Sequence, residues 1–154
     1  MPSVAHVFAR ISPHLAHRPG SARATQLHGW LVRHSGGRIA GRALGGDILV
    51  LRTTGRRSGR VRDAPLLFVP EGDGFAVVAS NAASERPPAW WFNLQDHPDA
   101  EAVLRGRTHP VRARAATEQE RAELWPRLVR LYSGYAHYES IARRELPVVV
   151  LGPR

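Results

Sequence analysis

Three turn signals, each a few residues long, separate the β-branched and aliphatic runs in the middle of this 154-residue chain. They are the bend Thr53-Thr54-Gly55-Arg56-Arg57-Ser58-Gly59, the tetrapeptide Glu71-Gly72-Asp73-Gly74 and the short link Arg105-Gly106-Arg107. Parallel neighbours need a crossover of a dozen or more residues, so links as short as the second and third predict antiparallel hairpins. The runs they join are Ile48–Leu51, Leu66–Val69, Phe75–Ala79, Glu101–Leu104 and Val111–Ala115, read as a meander followed by a hairpin. Pro87-Pro88 opens a helix carrying Trp90, Trp91 and Leu94 that stops before His97-Pro98. Thr117 with Glu120 forms a capping box ahead of the apolar face Leu124, Trp125, Leu128, Val129 and Tyr132, with Pro126 expected to kink that helix. A short polar segment leads to a last strand, Leu146–Leu151, expected to lie centrally. The fold class expected is α+β, with a small barrel or curved antiparallel sheet and flanking helices.

The N-terminal part reads differently. Val4, Val7, Phe8, Ile11 and Leu15 follow Ser3 at helical spacing, which makes residues 1–20 an amphipathic segment ahead of a domain spanning 21–154. Two placements suit it: packed on the body, or lying on a membrane surface with Arg10 and Arg18 toward the headgroups. Leu27, Trp30, Leu31 and His34 mark a second helix ended by Gly36-Gly37. No apolar run approaches the ~20 residues of a membrane span. With no cysteine and no secretory signal pattern, the expected location is the cytoplasm, or the inner face of its membrane.

Charge is concentrated rather than spread. All 22 basic residues are arginine; residues 1–62 carry 11 of them against one acid, Asp47, while residues 63–154 carry 11 against 12 acids. An anionic partner is therefore expected at the first part of the chain. Cysteine-based chemistry is excluded, and no dinucleotide-binding glycine motif, nucleophile elbow or metal-ligand spacing is present. If the chain is an enzyme, something other than its own side chains then does the hard chemistry.

Three segments remain as candidates. The bend with Arg56, Arg57, Arg60 and Arg62 offers N–H groups and guanidinium forks to phosphate or carboxylate, or is a solvated basic turn. Trp90-Trp91-Phe92-Asn93 places three aromatics where one helix face cannot bury them all, so one must meet another surface. Tyr132, Tyr135 and Tyr138, the chain's three tyrosines, would share a face if all lay on one helix, as pocket rim or as packing.

Taken in order, Thr53–Gly59, Arg62-x-x-Pro65-Leu66, Val77-Val78-Ala79-Ser80 and Pro88-Ala89-Trp90-Trp91-Phe92-Asn93-Leu94 resemble the deazaflavin-dependent nitroreductase family. Glu120-Arg121, Leu124-Trp125-Pro126, Tyr132 to Tyr138 and Leu146-Pro147-Val148-Val149-Val150 continue the resemblance, which covers roughly residues 25 to 152. It implies a split β-barrel of the FMN-binding type, coenzyme F420 as cofactor with FMN as the alternative, and hydride transfer to a flat electron-poor acceptor such as a quinone or nitroaromatic.

Residue by residue, the resemblance places the cofactor's phosphate and tail on Arg56, Arg57, Ser58, Arg62, Asp63, Ala64, Pro65, Leu66 and Leu67. It places the ring and ribityl chain against Val78, Ala79, Ser80, Asn81, Ala89, Trp90, Trp91, Phe92 and Asn93. Tyr135, closing over the deazaflavin, and Ser80 are implied as catalytic, with Tyr132 and Tyr138 toward the substrate; no metal is implied. Asn81 stands where relatives often carry lysine, Leu67 where the nitroreductase carries an aromatic, and Asp63 puts an acid beside the tail site. The rival readings are a non-catalytic F420 or FMN carrier and a basic single-stranded nucleic-acid module, the latter without a recognisable fold motif.

Overall fold

The computed structural model describes residues 48–154. The expected helices around Val4–Leu15 and Trp30 lie outside the described residues. Seven strands form one antiparallel sheet: β1 Ile48–Thr54, β2 Val61–Leu67, β3 Val69–Glu71, β4 Gly74–Val78, β5 Asp99–Leu104, β6 Arg107–Ala115 and β7 Val148–Pro153. Their order across the sheet is β2-β1-β5-β6-β7-β4-β3. Three α-helices accompany it: α1 Ala89–Asp96, α2 Glu118–Leu131 and α3 Gly134–Ile141.

One residue, Phe68, separates β2 from β3, although these strands lie at opposite ends of that order. The sheet therefore curls until its two edges meet, as the expected barrel requires. Phe68 seals the join, its ring edge-on to Phe75 at 5.2 Å. The expected meander is corrected here. The run Leu66–Val69 is the end of β2 and the start of β3, and β2 pairs with β1 rather than with the returning strand. Ladder pairing from Ile48↔Leu67 to Thr54↔Val61 carries both strands into the polar bend, past the apolar residues visible in the sequence.

Alternation along β4 and β7 splits the core in two. Phe75, Val77, Val149 and Leu151 face Leu49, Leu51, Trp90 and Leu94 in one cluster. Ala76, Val78, Val148 and Val150 face Leu124, Leu128, Tyr135 and Leu146 in the other. Strands covered on both faces lose the apolar–polar alternation, which is why Val148–Leu151 reads as a continuous apolar run. β7 lies between β6 and β4, central as expected.

The capping box is present: Glu120 N–H donates to Thr117 Oγ1 at 3.2 Å, and Thr117 N–H to Glu120 Oε2 at 2.8 Å. Arg114 grips both Glu120 oxygens at 2.6 Å, and with the Thr117 N–H it pulls the carboxyl down to about 2. α2 runs on through Pro126 as one element. The segment expected to be a polar connector contains α3, because Gly134–Ile141 finds a packing partner in α2 that its own weak amphipathicity does not announce.

Candidate active site

The bend between β1 and β2 is a locked structure. Gly55 N–H donates to the Arg60 carbonyl at 2.8 Å, Gly59 N–H to the Gly55 carbonyl at 2.7 Å, and Arg60 N–H to Ser58 Oγ at 3.3 Å. Gly59 sits at φ +67°, the left-handed region that favours glycine. Asn93 of α1 anchors this bend. Its Oδ1 accepts from Arg56 N–H at 3.1 Å, while its Nδ2 donates to Thr53 Oγ1 at 3.0 Å. Thr53 is 2% and Asn93 6% exposed, so this is a buried polar link whose members satisfy one another. The N–H groups of Arg57 and Ser58 have no protein acceptor and stay open to a ligand.

This bend and the start of α1 enclose a cavity of about 600 Å³, lined by Gly55, Arg56, Arg57, Ser58, Arg62, Asp63, Ala64, Arg86, Pro87, Ala89, Trp90, Phe92 and Asn93. Arg52, Arg112, Arg114, Arg121, Arg127 and Arg154 each meet a carboxylate. Among the described residues, Arg56, Arg57, Arg62 and Arg86 meet none. The acid in the wall, Asp63, faces Arg52 across the ladder, with Arg52 Nε 3.4 Å from its Oδ1. Arg52 is shared with Glu101 at 3.7 Å, and Asp63 Oδ1 is buried without a hydrogen bond, so Arg52 offsets this acid only in part, and the four arginines without carboxylates leave the cavity positive. Arg56 lies over the Phe92 ring, its guanidinium carbon 4.8 Å from the centroid, a cation–π contact that aims the charge. Trp90 is buried whereas Trp91 and Phe92 are partly exposed, as three adjacent aromatics on a helix require.

Of the residues expected around a cofactor, Arg56, Arg57, Ser58, Arg62, Asp63, Ala64, Ala89, Trp90, Phe92 and Asn93 share this one cavity. Pro65, Leu66 and Leu67 continue along β2, and Ala64, Leu66 and Trp91 pack against the barrel cluster. Val78 and Ala79 are core residues. Ser80 and Asn81 belong to the segment that follows β4, where Asn81 Nδ2 donates to the Arg86 carbonyl at 2.9 Å. Sequence reasoning passed over Thr53 as a site residue and missed Arg86 altogether. Thr53 carries no local mark of its role, while Arg86 stands directly before the Pro87-Pro88 helix start and could have been read with it.

The three tyrosines form a separate group and do not share one helix. Tyr132 caps the end of α2, and Tyr135 and Tyr138 belong to α3. The Tyr132 and Tyr138 hydroxyls are 3.3 Å apart, and the Tyr132 ring stands edge-on to Tyr135 at 5.2 Å. Gly134 makes this possible: a Cβ there would lie 2.2–2.4 Å from Tyr132 ring and hydroxyl atoms. Burial pushes the Tyr132 and Tyr135 phenols well above their ordinary value, so both stay protonated at neutral pH. Tyr135 is 6% exposed and packs in the helix-side cluster rather than in the wall of the 600 Å³ cavity. Its hydroxyl has no hydrogen-bond partner in the protein. Glu139 ties α3 to α2, accepting from Trp125 Nε1 at 2.9 Å and from Arg121 at 3.3 Å.

Residues 24–153 match the F420H(2)-dependent quinone reductase family. An F420H(2)-dependent quinone reductase of Mycobacterium tuberculosis is 32% identical over 133 residues, which are 84% of this chain and 89% of that protein. A second M. tuberculosis protein, provisionally named for the same activity, is 38% identical over 106 residues, 69% of this chain and 89% of its own. The solved structure of an F420-H2 dependent reductase superimposes with a TM-score of 0.63 at 32% identity, covering 68% of this chain and 93% of that one. With family match, identity and barrel in agreement, the chain belongs to the F420H(2)-dependent quinone reductase family.

Proposed function

We propose that this protein binds coenzyme F420 in the arginine-lined cavity and catalyses hydride transfer from its reduced form to a quinone-type acceptor. The observation that carries this reading is the convergence of Arg56, Arg57, Arg62 and Arg86 on one cavity with no carboxylate bound to any of them. An anionic ligand supplies the missing charge, and guanidinium forks with open N–H groups suit phosphate and carboxylate. Trp90 and Phe92 offer apolar surface to a flat ring.

The bound deazaflavin supplies the hydride; the chain's own work is placement. Arg57 and Ser58 hold an anion by their N–H groups, and Asn93 keeps that bend from shifting. On this reading Ser80 and Tyr135 are the catalytic residues and Tyr132 and Tyr138 shape the acceptor side. The Tyr132 and Tyr135 phenols, kept protonated, donate hydrogen bonds to an acceptor carbonyl oxygen and relay a proton to it. Tyr135→Phe will lower kcat about a hundredfold, the lower end of acid–base contributions. Its melting temperature will stay that of the parent, because the hydroxyl has no partner inside the protein. Unchanged turnover of F420H2 would remove Tyr135 from the mechanism.

Purified protein titrated with F420, FMN and a labelled oligonucleotide should bind F420 most tightly, and then oxidise F420H2 when a menaquinone analogue is added. Tighter binding of FMN or of the oligonucleotide would defeat the reading.

No helix among the described residues is long and apolar enough to cross a membrane. We propose that the amphipathic stretch Val4–Leu15, which contains Arg10 and is followed by Arg18, lies on the inner face of the cell membrane and meets lipid-soluble acceptors there. The full chain should float with anionic vesicles, and a chain lacking residues 1–18 should not. Equal flotation of the two would exclude this.

A further inference from the structure

Arg144 lies three residues beyond the end of α3, and no catalytic or binding role has been given to it above. Its guanidinium donates to the carbonyls of Ser80 at 2.7 Å, Ser84 at 2.9 Å, Glu145 at 3.0 Å, and Ala79 and Arg86 at 3.4 Å. No carboxylate meets it; the neighbouring Glu145 carboxylate pairs with Arg121 instead. Such a cation, set among carbonyl dipoles alone and half-buried, holds a backbone in place.

That backbone needs holding. Asn81, Ala82 and Ala83 lie in succession at φ 46°, 49° and 60°, a left-handed run that residues with a Cβ disfavour. Ala83 N–H to the Ser80 carbonyl and Ser84 N–H to the Asn81 carbonyl, each 3.0 Å, are its own weak supports. The segment packs against α3, the helix of Tyr135 and Tyr138, and ends at Arg86 in the cavity wall. Arg144 therefore spans the gap between the tyrosine group and the cationic cavity.

We infer that Arg144 is a positioning residue: by clamping the segment Ser80–Arg86, left-handed at Asn81–Ala83, it presents Arg86 to the cavity and keeps Ser80 in register with α3. Arg86 then adds a cationic wall from a second stretch of chain to that of Arg56, Arg57 and Arg62. This rests on the F420 reading for its functional consequence, and on hydrogen bonds alone for the clamp.

The test uses the full-length chain, with Arg144→Gln and, in case that variant folds poorly, Arg144→Lys, which keeps the charge without the planar fork. In ligand-free protein, hydrogen exchange at the Ala83 and Ser84 amides should quicken at least tenfold while β4 and β7 amides keep their protection. With F420 present, Arg144→Gln and Arg86→Ala should each raise Kd about five- to twentyfold. The double variant should be no weaker than the poorer single one, because both changes remove the same contact. Ala82→Gly in the Arg144→Gln background should recover part of the affinity by relieving the left-handed strain. Multiplying losses in the double variant, or unchanged exchange at Ala83 and Ser84, would overturn the assignment. If the parent protein ignores F420, the functional reading fails, and the exchange measurement alone decides whether Arg144 is the clamp.

Discussion

Arg62→Ala will raise the dissociation constant for F420 by about ten- to a hundredfold and leave the melting temperature unchanged. A hydrogen bond to a charged group is worth roughly 1.5–3 kcal/mol, and each 1.4 kcal/mol is a factor of ten. Arg62 is exposed on β2 at the cavity wall and holds no carboxylate, so its charge is available to a ligand and stabilises nothing inside the protein. The loss should shrink as salt is added, because the interaction it removes is partly screened already. Arg107→Ala offers the control: it removes an equally exposed, unpaired arginine that lies outside the cavity, on β6. Fluorescence titration of the three proteins at two ionic strengths is the measurement. Equal affinities for the parent and Arg62→Ala would show that the cationic wall does not hold the cofactor.

Asn93→Ala will damage stability and binding together. It removes the Nδ2 donor from the buried Thr53 hydroxyl, which keeps only its long 3.5 Å donation to the Arg62 carbonyl, and the acceptor from the Arg56 N–H, and a group left unsatisfied costs about 1–3 kcal/mol. For a chain of this length that corresponds to a fall in melting temperature of roughly 5–15 °C. The bend also loses its anchor to α1, so F420 affinity should drop about tenfold or more, as expected for one charge-assisted contact set out of place. Thr53→Val combined with Asn93→Leu separates the two effects. Removing both polar partners should restore much of the stability, since no buried hydroxyl is stranded, while affinity stays low because Arg56 N–H is still unheld. A melting curve and an F420 titration on each variant decide it. Parent-like affinity in the double variant would mean that the Asn93 link serves folding only.

Asp63 shows why a site is harder to read than its fold. In sequence it is an acid intruding on a basic bend. In the sheet it lies opposite Arg52, whose guanidinium it shares with Glu101, so its charge is partly offset by a residue that the bend itself does not contain. The same holds for the arginines as a class: 22 look alike in the sequence, and only their distant partners separate those that bind carboxylates from those left for a ligand. Tyr135, which the resemblance to relatives places over the cofactor, has its ring packed in the helix-side core, a position that three tyrosines spaced by three in the sequence do not reveal.

By itself the sequence determined what a few neighbouring residues decide among themselves: hairpins from short turns, the Thr117–Glu120 cap, the basic bend and the helix after Pro87-Pro88. Those interactions span three or four positions, so local chemistry suffices to write them. Only the tertiary structure decided that β2 and β3 sit at opposite edges of a curled sheet, that Asn93 reaches Thr53 forty residues away, and that Arg144 grips carbonyls some sixty residues before it. Contacts at that range exist because the curled sheet brings remote backbone within hydrogen-bonding distance, and no pattern along the chain encodes that distance.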